Sequence, residues 1–149
     1  MKSNIRMLSP VWAGLLATSM IAMQTPVHAA TFTPLHSFGG TGSGTHPQGT
    51  LVMDKFGKIY GTTASGGQYN RGTIFRYDPT AAIPVTTIHS FANLPTNDGQ
   101  LPSGALVADS LGNLYGTTEG GGPNDFGTVF KWDVEFGYST LWRFTGINL

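Results

Sequence analysis

The stretch KIYGTTASGGQYNRGTIFRYDP, Lys58 to Pro79, returns 55 residues later as NLYGTTEGGGPNDFGTVFKWDV, Asn113 to Val134. A duplication at fixed spacing constrains a fold more than any composition does, because each copy must take the same shape and bury the same surfaces. Without a gap the copies share Tyr-Gly-Thr-Thr, then Gly-Gly, Gly-Thr, a Phe and an Asp. Upstream of each, GTLVMDKFG from Gly49 matches GALVADSLG from Gly104. A third element, LHSF at Leu35, recurs as IHSF at Ile88 and more loosely as LWRF at Leu141, each start 53 residues from the last. The expected division is a leader over 1–29, an N-terminal strand and loop over 30–48, a first repeat over 49–103, and a second over 104–149 that ends at the start of a truncated third unit.

Each repeat reads as strand throughout. The runs Leu51 to Asp54 and Lys58 to Thr63 are joined by Asp54-Lys55-Phe56-Gly57, matched by Asp109-Ser110-Leu111-Gly112. An Asp opening and a Gly closing such a segment predict a type I turn with a left-handed glycine, hence a hairpin. The third strand, Gly72 to Asp78, alternates: Thr73, Phe75 and Tyr77 face one way, Ile74, Arg76 and Asp78 the other. The aromatic pair Phe75 and Tyr77, repeated as Phe130 and Trp132, is expected to pack one sheet on the next. A fourth strand runs Val85 to Phe91, then Ser139 to Phe144, and Thr31 to Phe38 reads as the outermost strand of a further unit. Four short strands in about fifty residues is the arithmetic of a propeller blade. The expected fold is all-β, two four-stranded propeller-like blades forming a partial propeller after an N-terminal signal peptide.

Composition narrows the setting. Lys2 and Arg6 precede an uncharged apolar stretch, Val11 to Met23, and Val27-His28-Ala29 offers small residues for cleavage. That is the layout of a secretory signal peptide, too short in its apolar part to span a bilayer. Its removal leaves six basic against eight acidic residues, a net charge of −2. Nucleic acid, which demands a basic face, is disfavoured, and the mature chain offers no transmembrane segment. With zero cysteines there is neither a disulfide framework nor thiol chemistry. The expected location is secreted, periplasmic, extracellular or at the cell surface.

The pattern Gly-x-Leu, Asp-x-x-Gly-x-Leu/Ile-Tyr-Gly-Thr-Thr, Gly-Gly, Gly-Thr-Val/Ile-Phe closely resembles the tandem repeat of GloVer-type (Gloeo/Verruco) secreted bacterial proteins, over about Leu35 to Phe144. The resemblance implies export and a propeller-like repeat fold. It implies no assigned activity and supplies no catalytic residues.

Read for chemistry, the residues offer little. His36 and His89 hold equivalent positions that the third copy fills with Trp142, which marks packing rather than metal ligation; His46, with Leu101 at the matching place, reads as a loop residue. Ser65 has Gly120 as its counterpart and no Gly-x-Ser-x-Gly elbow around it. Asp54 and Asp109 read as turn openers, Asp78 and Asp133 as strand ends. The glycine-rich Gly39 to His46 lacks the Gly-Lys-Ser/Thr ending of a phosphate loop. No catalytic residue, cofactor or metal is assigned.

What remains is the loop after each Tyr-Gly-Thr-Thr. Gln68, Tyr69, Asn70 and Arg71, beside Asn124, Asp125 and Phe126, form a candidate rim for a glycan or a protein. The expected function is a non-enzymatic extracellular or surface interaction module, able to assemble with itself into a closed ring. The alternatives are a remnant of a longer repeat array, and a secreted polysaccharide hydrolase using Asp98, Glu119 and Asp125.

Overall fold

The computed structural model describes residues 30–39, 42–92 and 98–146, and the signal peptide expected over 1–29 lies outside them. Eight strands follow in chain order: β1 (Thr45–Met53), β2 (Ile59–Ser65), β3 (Thr73–Tyr77), β4 (Val85–Ser90), β5 (Val107–Ala108), β6 (Leu114–Thr118), β7 (Thr128–Asp133) and β8 (Gly137–Arg143). They form two antiparallel sheets, β1-β2-β3-β4 and β5-β6-β7-β8, each a meander in sequence order. There is no helix among the described residues, so the all-β reading holds.

Each letter shared by the two copies of the motif has a mechanical job, and the copies do it alike. Asp54 accepts hydrogen bonds from the Phe56 and Lys58 amides at 2.8 and 2.9 Å, and Asp109 does the same for Leu111 and Asn113 at 2.9 Å. Gly57 and Gly112 close these turns at φ 79° and 90°, a region that costs other residues energy. The motif tyrosine reaches back across the turn: Tyr60 donates to Asp54 and Tyr115 to Asp109, both at 3.1 Å. The glycine that follows is a seat for an aromatic ring. A Cβ on Gly61 would fall 2.6 Å from Phe75, and one on Gly116 would fall 2.5 Å from Phe130. The last threonine of the motif pairs with the Thr of Gly-Thr through buried hydroxyls, Thr63 with Thr73 at 2.8 Å and Thr118 with Thr128 at 2.9 Å.

The core lies between the sheets. Tyr60, Ile74 and Phe91 from the first meet Leu106, Leu114 and Phe130 from the second, with Trp132 and Tyr138 around them. Phe130 and Trp132 thus pack as the sequence suggests, but their counterparts do not face them. The first sheet offers its other side, that of Ile74 and Tyr60, while Phe75 lies on the far face against Phe38, centroids 4.8 Å apart. The sheets are stacked head to tail. Phe38 sits on Phe75 as Phe91 sits on Phe130, at 5.3 Å, and in each case a histidine two residues earlier meets the phenylalanine edge-on.

Two expectations need correction. Residues 31–38 form no strand: they pair with no strand among the described residues, so their backbone joins no ladder there. His46 belongs to β1, not to a loop, because that strand starts at Thr45 and runs through a register break between Gln48 and Val52. Its backbone has a true counterpart, since His46 and Leu101 both hold φ 56°.

Candidate functional site

The register places the loops after β2 and β6, the entries to β1 and β5 and the exits from β4 and β8 at one end of the stack. This is the rim anticipated from sequence, and its residues divide into two kinds. Asn70 and Asp125 are turn-formers at φ 55° and 61°, their side chains accepting the Gly66 and Gly121 amides at 3.0 and 2.5 Å. Arg71 donates to the Gln100 amide oxygen, and the Gln100 nitrogen donates to Asp125 at 2.6 Å, so this chain of bonds ties one repeat's loop to the next. Asn124 donates to the Thr145 carbonyl at 2.9 Å. Tyr69 and Phe126 remain exposed. Gln68 and Tyr69 line a shallow hollow of about 380 Å³ with Ile88, His89 and Asp98; Arg71, Asn124, Asp125 and Phe126 are not part of it.

Beneath that hollow is a contact the sequence did not disclose. His89 hydrogen-bonds the buried Asp98 carboxylate at 3.1 Å and lies flat on the Tyr138 ring, whose hydroxyl donates to the Asp98 carbonyl. The one available signal was positional: Trp at the third copy of the histidine position marks it as a place for a flat ring. Among the hydrolase candidates, Asp98 is held by His89 and the Ala92 amide, Asp125 by its own turn and Gln100, and Glu119 by the Ser103 hydroxyl at 2.5 Å. Each carboxylate serves a different local structure. Ser65 does meet His46, Oγ to Nδ1 at 2.9 Å, but no carboxylate among the described residues orients that imidazole as a triad requires.

At the opposite end, the two Asp-Gly turns flank a groove of about 440 Å³ lined by Met53, Phe56, Tyr60, Arg76, Trp132 and Val134 among others. Its electrostatics are set by local pairing. The Asn113 side chain and neighbouring amides hold Asp109 below the usual carboxylate range. Lys131, bonded at 2.6 Å, brings Asp133 down to about 2, and Thr80 lowers Asp78, which also meets Lys58 at 3.3 Å. Burial, with the hydrogen bond to Asp54, pushes Tyr60 up to about 12. Arg76 stands apart: its Nε is buried without a hydrogen-bond partner, and it makes no ion pair among the described residues.

The two outer faces of the stack carry the surfaces that are buried inside it. Leu51 on the first sheet is 58% exposed where its counterpart Leu106 is 4% exposed, and Phe144 beyond β8 is 45% exposed where Phe91 is 0% exposed. Trp142, Leu141 and Val107 of the second sheet are exposed as well. Among the described residues no group of three or more His, Asp or Glu side chains is placed to hold a metal, and no helix is long and apolar enough to cross a membrane.

These features define an all-β tandem-repeat protein in which a four-stranded unit is stacked on its own copy. The model of the Gloeobacter/Verrucomicrobia repeat matches residues 21–149, and the chain belongs to that family. No curated protein and no solved structure matches it.

Proposed function

We propose that this chain is an exported, non-enzymatic interaction module whose blade-like sheets stack with further sheets of the same kind, a second copy supplying the next one. The reading rests on one observation. The outer face of the first sheet, with Leu51, Met53 and Phe75, is equivalent to the face by which the second sheet packs inward, with Leu106, Ala108 and Phe130. The outer face of the second sheet, with Val107, Trp142 and Phe144, is equivalent to the first sheet's inward face, with Val52, His89 and Phe91. The two ends of the molecule are therefore complementary to each other by the same chemistry that holds its middle. Such a heterologous contact propagates or closes into a ring. With the 4–8 blades of known propellers as the guide, closure takes about two to four copies. The leader, with its basic start and apolar stretch, supports export, and a rim bearing Gln68, Tyr69 and Phe126 gives a ring an accessible face for a glycan or protein.

Light scattering coupled to size exclusion tests this on the purified chain. A discrete oligomer that Trp142→Lys converts to monomer is the expected result. A chain that stays monomeric across a hundredfold concentration range overturns the reading.

A further inference from the structure

We infer that the groove between the two Asp-Gly turns is a binding site for an acidic sugar, whose anionic group is received by Arg76. Most charges around the groove are already compensated within the protein. Asp54 and Asp109, which line the groove, are saturated inside their own turns by amides, a tyrosine hydroxyl and, for Asp109, the Asn113 side chain. Lys58 is held by Asp78 at 3.3 Å. Lys131, which occupies the position of Arg76 in the second repeat, is neutralised by Asp133 at 2.6 Å. Arg76 and Lys55, whose Nζ lies over the Phe56 ring at 5.2 Å, lack a counter-ion among the described residues, and of the two it is Arg76 that also buries a nitrogen, Nε, without an acceptor.

A second orphan stands beside it. Thr86, the cross-strand neighbour of Arg76 on β4, likewise buries its hydroxyl without a partner, though it lies outside the groove's lining. Buried donors left unpaired are costly, and a guanidinium that lacks a carboxylate is shaped to accept one, or a sulfate, through paired N–H groups. The rest of the lining suits a sugar body. Trp132 lies 6.3 Å from Tyr60, and Met53, Phe56 and Val134 add exposed apolar surface around them. Apolar surface beside uncompensated cations suits a small-ligand cleft, and a volume of about 440 Å³ holds one or two sugar rings. The near-neutral chain gives no long-range pull toward nucleic acid, so recognition must come from this local pairing.

The test is tryptophan fluorescence and calorimetric titration of the purified chain with three probes: trigalacturonate, a sulfated galactose trimer and neutral galactotriose. Binding of either acidic trimer at least tenfold tighter than the neutral one supports the site, and which of the two wins assigns carboxylate or sulfate. Arg76→Gln should cost at least tenfold in affinity while leaving the urea midpoint within a few tenths molar, Arg76→Lys should retain part of the binding, and Lys131→Gln should leave it unchanged. Equal affinity for acidic and neutral trimers, no binding of any, or full binding by Arg76→Gln overturns the inference. Because the groove lies within one chain, it is lost or kept independently of whether copies stack.

Discussion

His89 from the first repeat and Tyr138 from the second lie ring on ring, centroids 4.0 Å apart and planes 4° from parallel. The Tyr138 hydroxyl donates to the backbone of Asp98, whose carboxylate in turn holds His89, so one tyrosine closes a loop of contacts across the repeat boundary. Tyr138→Phe leaves a buried carbonyl short of a donor and should cost about 1–2 kcal/mol. Tyr138→Ala also empties the space between His89, Phe91 and Phe130 and should cost about 3–5 kcal/mol. Urea unfolding followed by intrinsic fluorescence measures both. Equal costs for the two variants would mean that the hydroxyl, not the ring, carries the contact.

Gly72 and Gly127 sit just before β3 and β7 at φ 98° and 89°. A Cβ on Gly72 would stand 2.5 Å from the Pro102 ring and 2.5 Å from the Thr63 carbonyl oxygen. Neither neighbour can yield, as Pro102 is fully buried and Thr63 lies within the sheet. Gly72→Ala should therefore lower stability by about 2–4 kcal/mol, combining positive-φ strain with the overlap. Gly57→Ala makes the control: at φ 79° with open space around it, only the strain of about 1–2 kcal/mol applies. Thermal melts of the two variants should rank in that order.

The pairing pattern fixes the shape of stability against pH. Tyr138, by burial, and Tyr60, by burial and its bond to Asp54, are raised to about 12 in the folded chain. An unfolded tyrosine loses its proton near pH 10, so the stability they contribute is full below about pH 10 and is lost as pH rises through 12. Asp133, bonded by Lys131, is lowered to about 2, with Asp78 and Asp109 lowered in the same sense. Their contribution is present above an unfolded aspartate's pKa near 4 and is lost as pH falls through 2. Urea midpoints should form a plateau from about pH 4 to 10 with two falling arms, and Asp133→Asn should flatten the acid arm.

How far the sequence could be read follows from where each interaction closes. The turns at Asp54 and Asp109 were legible because donor, acceptor and left-handed glycine lie within five residues of one another. The strands were legible because Tyr-Gly-Thr-Thr and Gly-Thr alternate and recur. The head-to-tail stacking was not, since alternation shows that Phe75 and Ile74 point opposite ways but not which side a neighbour will cover. Nor were the roles of Asn70 and Asp125, whose left-handed backbone is common to polar turn residues and to solvent loops alike. The groove at Arg76 stayed hidden for a third reason. It depends on the folded pairing, in which Asp78 has gone to Lys58 in one repeat while Asp133 has gone to the cation of β7 in the other.

Phe38 supplies the sharpest test of stacking. Its ring covers Phe75 as Phe91 covers Phe130, which is the seat that Phe144 of a neighbouring copy would take. The N-terminal segment and the incoming sheet therefore compete for one site on the first sheet. Removing the ring with Phe38→Ala uncovers Phe75, at an expected cost to the isolated chain of about 1–3 kcal/mol, since the segment carrying it is paired into no sheet. The same substitution should tighten association between copies, moving the midpoint of the monomer–oligomer transition to lower concentration by about tenfold, in line with the roughly 1.4 kcal/mol that a displaced half-buried ring returns. Phe144→Ala should move it the other way. Sedimentation velocity over a dilution series reads both shifts, and movement in the same direction for both variants would show that Phe38 belongs to the interface instead of competing for it.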